Sequence, residues 1–139
     1  MKYLIDTNVL SELLKNEPDI NVVKWINKCQ QSDLFISVLT LGEIKKGIQK
    51  LVTSRKKVQL SKWLENDLIK KFGKNIIKID LPISLRWGII NAQAEEAGKN
   101  IPVIDSLIAA TAIEYNLTLV TRNVKDFSQT NCKLFNPWE

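Results

Sequence analysis

Met1-Lys2-Tyr3-Leu4-Ile5-Asp6-Thr7-Asn8 is the stretch on which the fold turns. Tyr3, Leu4 and Ile5 form a short apolar run without helical periodicity, the mark of a strand buried on both faces in a parallel sheet. The run stops at three polar residues, and Val9, Leu10, Leu13 and Leu14 follow at helical spacing. A strand therefore delivers Asp6 to its carboxyl end, and a helix starts at once. In open α/β sheets that edge is where ligands bind. Helix capping is the plain alternative, since Asp, Thr and Asn all cap well.

The same alternation continues outward. Glu17-Pro18-Asp19 marks a break, and Ile20, Val22, Val23, Trp25 and Ile26 predict an amphipathic helix reaching about Gln31. Leu34-Phe35-Ile36 reads as a second buried strand, ended by Ser37. Val38, Leu41, Ile44, Ile48 and Leu51 then give a helix to about Val52, with Glu43 beside the stripe in its second turn. A further helix spans roughly Ser54 to Phe72 on Val58, Leu60, Leu64, Leu68 and Ile69, and Gly73 stops it. Ile76, Ile77 and Ile79 predict a third strand ended by Asp80, and Pro82 opens a helix to Ala97 and Gly98.

From Leu107 to Ile113 the chain is apolar almost all round, which predicts a core helix with Asp105 at its start. Leu117 to Val120 is a fourth strand, Thr121 to Phe127 a polar loop, and Lys133-Leu134-Phe135 a last edge strand. The expectation is one α/β domain spanning residues 1–139. Its central, mostly parallel sheet has four to five short strands flanked by helices.

Composition narrows the chemistry. The 139 residues are 45% hydrophobic and 25% charged, ordinary for a soluble globular domain. No apolar run is long enough to span a membrane and none resembles a signal peptide, so a cytoplasmic protein is expected. Cys29 and Cys132 lie in no metal-binding spacing and are read as reduced structural thiols. There is no histidine, which removes Ser-His-Asp hydrolysis, histidine-based ribonuclease chemistry and His-ligated zinc. Hydrolysis would have to come from carboxylates, a metal, or both. The net charge of +5 is uneven: Lys45 to Lys78 holds +9, leaving −4 elsewhere. A solvated helix face is the plain reading of that run, and a polyanion-facing surface the sharper one.

Parallel strands would bring Asp6, Glu43, Asp105, Asn123 and Asp126 to one sheet edge. Each has a bland alternative, as a cap, an exposed helix residue or a turn former. Carboxylates gathered there need a counter-charge. Mg²⁺, or Mn²⁺, answers that need as a hard cation seeking oxygen ligands. Such a cation lowers the pKa of water and polarises a phosphoryl oxygen, which suits a phosphodiester substrate. The basic surface would hold the substrate's backbone in a salt-sensitive way.

The ordered set Leu4-Ile-Asp-Thr-Asn-Val-Leu-Ser-Glu-Leu13, Leu41-Gly-Glu-Ile44, Ile101-Pro-Val-Ile-Asp-Ser-Leu-Ile-Ala-Ala-Thr-Ala112 and Leu119-Val-Thr-Arg-Asn-Val-Lys-Asp-Phe127 resembles PIN-domain proteins. More narrowly, it resembles the VapC-type toxins of bacterial toxin–antitoxin pairs. The resemblance runs over nearly the whole chain and is thinnest in the basic middle helices. It implies that Asp6, Glu43 and Asp105 occupy three acidic metal-site positions. A fourth position, often Asp, falls on Asn123 here; one charge is missing, and Asp126 lies three residues on. Thr7 and Thr121 match polar positions near the metal.

The resemblance further implies Mg²⁺-dependent endoribonuclease activity on RNA, often tRNA or rRNA, and consequent inhibition of translation. It also implies a homodimer neutralised by an antitoxin whose C-terminal segment lies in the active-site groove, in a heterotetramer or larger assembly. Asp6 and Asp105 would ligate the metal directly, and Glu43 directly or through water. Asn123 would orient a water, with Asp126 in support. Thr7, Thr121, Arg122, Lys125, Lys45 and Lys46 are candidates for RNA contact. Trp25, Trp63 and Trp87 sit in helical patterns and read as packing residues.

Two rivals differ in class. An Asp-based phosphatase of the dehalogenase-like kind also places Asp after strand one, but it wants a second Asp two residues on, where Asn8 stands. A non-catalytic RNA- or partner-binding module would tolerate Asn123 in place of Asp.

Overall fold

A computed structural model describes residues 1–139. Five strands, β1 (Tyr3–Ile5), β2 (Leu34–Ser37), β3 (Ile76–Ile77), β4 (Thr118–Val120) and β5 (Leu134–Phe135), form one sheet in the order β3-β2-β1-β4-β5. Every neighbouring pair is parallel, with Tyr3, Leu4 and Ile5 opposite Thr118, Leu119 and Val120. The chain steps outward from β1 to β2 to β3, then returns across the sheet to β4 and β5 on the other side. The strand order therefore reverses between β1 and β4, and a crevice opens at the carboxyl ends of those two strands.

The helices divide between the faces. α1 (Thr7–Leu13), α2 (Ile20–Lys28), α3 (Val38–Gln49), α4 (Arg55–Lys62) and α5 (Ile69–Phe72) cover one face, around Ile5, Ile36, Val120, Val22, Leu64 and Phe72. α6 (Leu81–Glu96) and α7 (Val103–Glu114) cover the other, around Leu4, Leu119, Ile77, Ile83, Ile90 and Ile108. Leu4 and Ile5 point to opposite clusters, as do Leu119 and Val120, which is the period of two of a strand buried on both sides. Asp80 caps α6 by accepting from the Ile83 N–H at 3.0 Å, and Gly98 ends that region with φ +69°.

Several boundaries differ from the periodicity. α2 stops at Lys28, because Cys29 is extended, and a short 3₁₀ turn spans Gln31–Asp33. Its buried residue is Val22, while Ile20 is 61% exposed. α3 ends at Gln49 rather than Val52. The expected helix from Ser54 to Phe72 is helical throughout, but Trp63–Leu68 is π-wound. Leu64, Leu68 and Phe72, at four-residue spacing, face inward, while Val58 and Ile69, off that line, do not. Trp25, Trp63 and Trp87 are partly buried against the two cores, as packing residues should be. No helix is long and apolar enough to cross a membrane.

Candidate active site

Asp6 is both a cap and a site residue. Its Oδ1 accepts from the Thr7 N–H at 2.9 Å, which starts α1. Its Oδ2 accepts from the Thr121 hydroxyl at 2.8 Å and from the Asn8 amide at 3.4 Å. The Asn8 amide also donates to Thr121 Oγ1 at 3.1 Å, and Asn8 Oδ1 accepts from the Arg122 N–H at 3.3 Å. The Asn123 N–H donates to Thr121 Oγ1 at 3.1 Å. The ends of β1 and β4 are thus tied across the crevice through Asn8 and Thr121. On the other side of α1, the Thr7 hydroxyl donates to Glu43 Oε1 at 2.8 Å, which fixes α3 against the same edge.

Asp105 lies in the first turn of α7, where a negative charge favours the helix dipole. It caps nothing: Pro102 holds the cap position, with no side-chain bond. Burial first, then the charges of Asp6, Asp126 and Glu43, push its carboxyl up to about 6. Asp6 is also raised, mainly by burial, against the lowering effect of the Thr121 and Thr7 bonds. The ion pairs of the chain are Lys15–Glu12, Lys45–Glu65 and Arg86–Glu114, so no cationic side chain neutralises Asp6, Glu43, Asp105 or Asp126.

A cavity of about 450 Å³ opens over this group, lined by Asp6, Thr7, Asn8, Glu43, Asp105 and Asn123. Ser11, Glu12, Lys15, Arg122 and Trp138 complete its wall. Asp105 also faces a second hollow of about 290 Å³, shared with Asp126, Lys125 and Lys99. The residues expected at one edge therefore do converge, with Asp126 on the far side of Asp105 from Asp6. Asn123 and Asp126 also behave as turn formers, the Asp126 N–H donating to the Asn123 carbonyl at 3.0 Å. Thr121 is fully buried, so it is not placed to touch RNA; its hydroxyl positions Asp6 instead. Lys45 and Lys46 stand exposed on α3 away from the cavity, and Lys45 reaches Glu65 at 3.5 Å.

Sequence reasoning missed the polar side of α1. Glu12 is buried, accepts from Lys15 Nζ at 2.9 Å and from the Asp19 N–H at 2.9 Å, and so anchors the start of α2. The Lys15 bond, with that backbone bond, holds its carboxyl below the usual range. Asn8, Ser11, Glu12 and Lys15 fall at helical spacing, and that polar stripe was the available signal. Trp138, in the tail, gave no such signal.

No three of the acidic side chains close around one ion position. The donors are all oxygen, they raise one another's pKa and they lack a protein counter-charge. That set fits a hard divalent cation held by one or two carboxylates and completed by water.

A parallel α/β domain with an uncompensated acidic crevice at its strand reversal defines a class, and the comparisons with known proteins agree on it. The chain belongs to the PIN-domain family, matched over residues 3–131, and is of the VapC type. It is 35% identical to toxin FitB of Neisseria gonorrhoeae, covering 97% of each chain. It is 32% identical to VapC ribonuclease Y4jK of Sinorhizobium fredii, covering 98% of this chain and 97% of that one. Among solved structures, FitAcB from Neisseria gonorrhoeae superposes with a TM-score of 0.94 at 34% identity, covering 99% of both chains. A toxin–antitoxin complex from Klebsiella pneumoniae does so at 0.72 and 26%, again covering 99% of both.

Proposed function

We propose that this chain is the toxin of a toxin–antitoxin pair, an endoribonuclease that hydrolyses RNA phosphodiester bonds with a divalent cation and so inhibits translation. The observation that carries this is the meeting of Asp6, Glu43 and Asp105, with no neutralising cation, in one open cavity. The relatives named as toxin and as ribonuclease support the same reading.

Asp6 and Asp105 would hold the cation, with Glu43 joining directly or through water. Mg²⁺ suits these donors, and Mn²⁺ is the alternative. When bound, the cation supplies Lewis-acid charge for the phosphoryl oxygen and makes water more acidic. The chain does the rest. Thr121 and Thr7 keep Asp6 and Glu43 aimed into the cavity. Asn123, on the cavity wall, would orient the attacking water, with Asp126 supporting from the far side of Asp105. Arg122 and Lys125 bind the phosphate as cations at the rim. Water adds at phosphorus and gives up a proton to bulk water, the bond to the leaving ribose oxygen breaks, and that oxygen takes a proton back from water, with no histidine taking part.

The substrate class is structured or single-stranded RNA, tRNA or rRNA. On this reading the protein acts in the cytoplasm as a homodimer that forms a larger complex with its antitoxin. An apolar hollow of about 270 Å³, lined by Leu14, Ile44, Ile48, Leu51, Leu60 and Trp63, adjoins the acidic cavity through Thr7, Ser11 and Glu43. It suits the apolar side of an antitoxin segment lying in the groove. The test is induced expression of the wild type, Asp6→Ala and Asp105→Ala, with RNA ends mapped from the same cultures. Growth arrest and discrete cuts from the wild type alone are the expected result. Arrest by all three alike would place toxicity outside this site.

A further inference from the structure

The C-terminal tail brings an aromatic ring to the acidic cavity. The Trp138 carbonyl accepts from the Asn21 side chain at 3.1 Å, and the Trp138 N–H donates to Asn136 Oδ1 at 2.9 Å. The indole is partly buried against the core on the α1–α5 side and forms part of the cavity wall. Arg122 lies over it, the guanidinium carbon 5.2 Å from the ring centroid. The Arg122 backbone is fixed by Asn8, its side chain is exposed, and it forms no ion pair although acids line the same cavity. A guanidinium that lies over an indole on one side has the other side of its plane open to the cavity. Such a plane is a stacking surface for an unpaired base, and its N–H edge can reach a phosphate at the same time.

We propose that Arg122, backed by Trp138, forms a stacking subsite for an unpaired base next to the phosphate held over Asp6 and Asp105. This rests on the ribonuclease reading and adds to it where the strand lies. Stacking of this kind is tolerant of base identity and prefers single strands.

The probes are a labelled single-stranded oligoadenylate and an oligomer of the same length carrying abasic spacers. Binding is read by fluorescence anisotropy in the Asp105→Asn background, which keeps the RNA intact. Trp138→Ala and Arg122→Lys should each weaken oligoadenylate binding by about tenfold. Trp138→Phe should retain most of it, and neither loss should appear with the abasic oligomer. Arg122→Lys keeps the charge and leaves Trp138 itself and its bonds to Asn21 and Asn136 in place, so it isolates the planar guanidinium. Equal loss on both probes would overturn the subsite, reducing Arg122 to a phosphate contact and Trp138 to packing. Unchanged binding by Arg122→Lys would overturn it as well. Failure of the background protein to bind either probe would instead overturn the ribonuclease reading, and this inference with it.

Discussion

The two carboxylates at the strand reversal are held in opposite ways. Asp6 accepts from Thr7, Thr121 and Asn8 and is oriented before anything binds. Asp105 has no such partners and faces three other acids, and its carboxyl is pushed up to about 6. One half of the site is preorganised by hydrogen bonds. The other is disfavoured in its charged form by burial first and by the neighbouring acids second. The difference teaches that geometry is stored near β1 and β4, while the cost of an uncompensated charge is concentrated at the start of α7.

The largest test of this contrast removes either carboxylate. Asp6→Asn and Asp105→Asn should each lower the RNA cleavage rate by on the order of 10³-fold. They should part company in cation affinity: calorimetry with Mn²⁺ should show weaker binding in both, with Asp6→Asn keeping part of it through Asp105 and Glu43.

Next comes Thr121→Val, which keeps the shape but removes a donor to Asp6 and an acceptor used by Asn8 and Asn123. Activity should fall about 10–100-fold, as when a residue that orients a metal ligand is lost. Leaving those buried groups unpaired should cost about 1–3 kcal/mol of stability, read from denaturant melts. Thr121→Ser should restore most of both. An unchanged rate for Thr121→Val would mean that Asp6 needs no orientation.

The charge half predicts a pH effect. Asp105 has a raised folded-state pKa, so its contribution to stability is present below the ordinary value of 3.8 and is lost as pH rises through about 6. Cation-free protein should therefore melt higher at pH 5 than at pH 7. Glu12 and Asp80 have lowered pKa values and act the other way only below about pH 4.5, outside that window. Added Mg²⁺ should raise the pH 7 melt more than the pH 5 melt, and Asp105→Asn should flatten the difference. A flat profile in the unsubstituted protein would remove the charge strain from the comparison.

The smallest effect belongs to α3. Lys45→Gln with Lys46→Gln leaves the crevice intact and removes two exposed cations. The slope of log affinity for single-stranded RNA against log salt should fall by about 1.4 if both contact phosphate, at about 0.7 per contact. An unchanged slope would leave them as a solvated helix face.

Much of this was legible from residue order alone. The apolar runs at Tyr3–Ile5, Leu34–Ile36 and Leu117–Val120 announce doubly buried strands because no polar face interrupts them. Asp6 stands out because it follows such a strand, Glu43 because it lies in the second turn of the helix after another, and Asp105 because it opens the core helix. Apolar character was a weaker guide to which side chains a helix buries. In the stretch after Ser54, Leu64, Leu68 and Phe72 are buried at four-residue spacing, while Val58, roughly 120° round the helix from Leu64, is 51% exposed although it is just as apolar. The apolar Leu81, Leu85 and Ile89 fall on one side of α6 and are exposed there.

Residue order by itself determined the parallel sheet, the helices between its strands and the acids at its carboxyl edge. These follow from burial periods and chain connectivity, which are local properties. Only the tertiary structure decided which polar groups serve those acids. Thr121 reaches Asp6 across 115 positions, Asn8 reaches Thr121 across 113, and Trp138 meets Arg122 from the tail. Hydrogen bonds and ring contacts depend on distances of a few ångströms, set by the register of β1 with β4 and of β4 with β5. No period within a single element encodes that register.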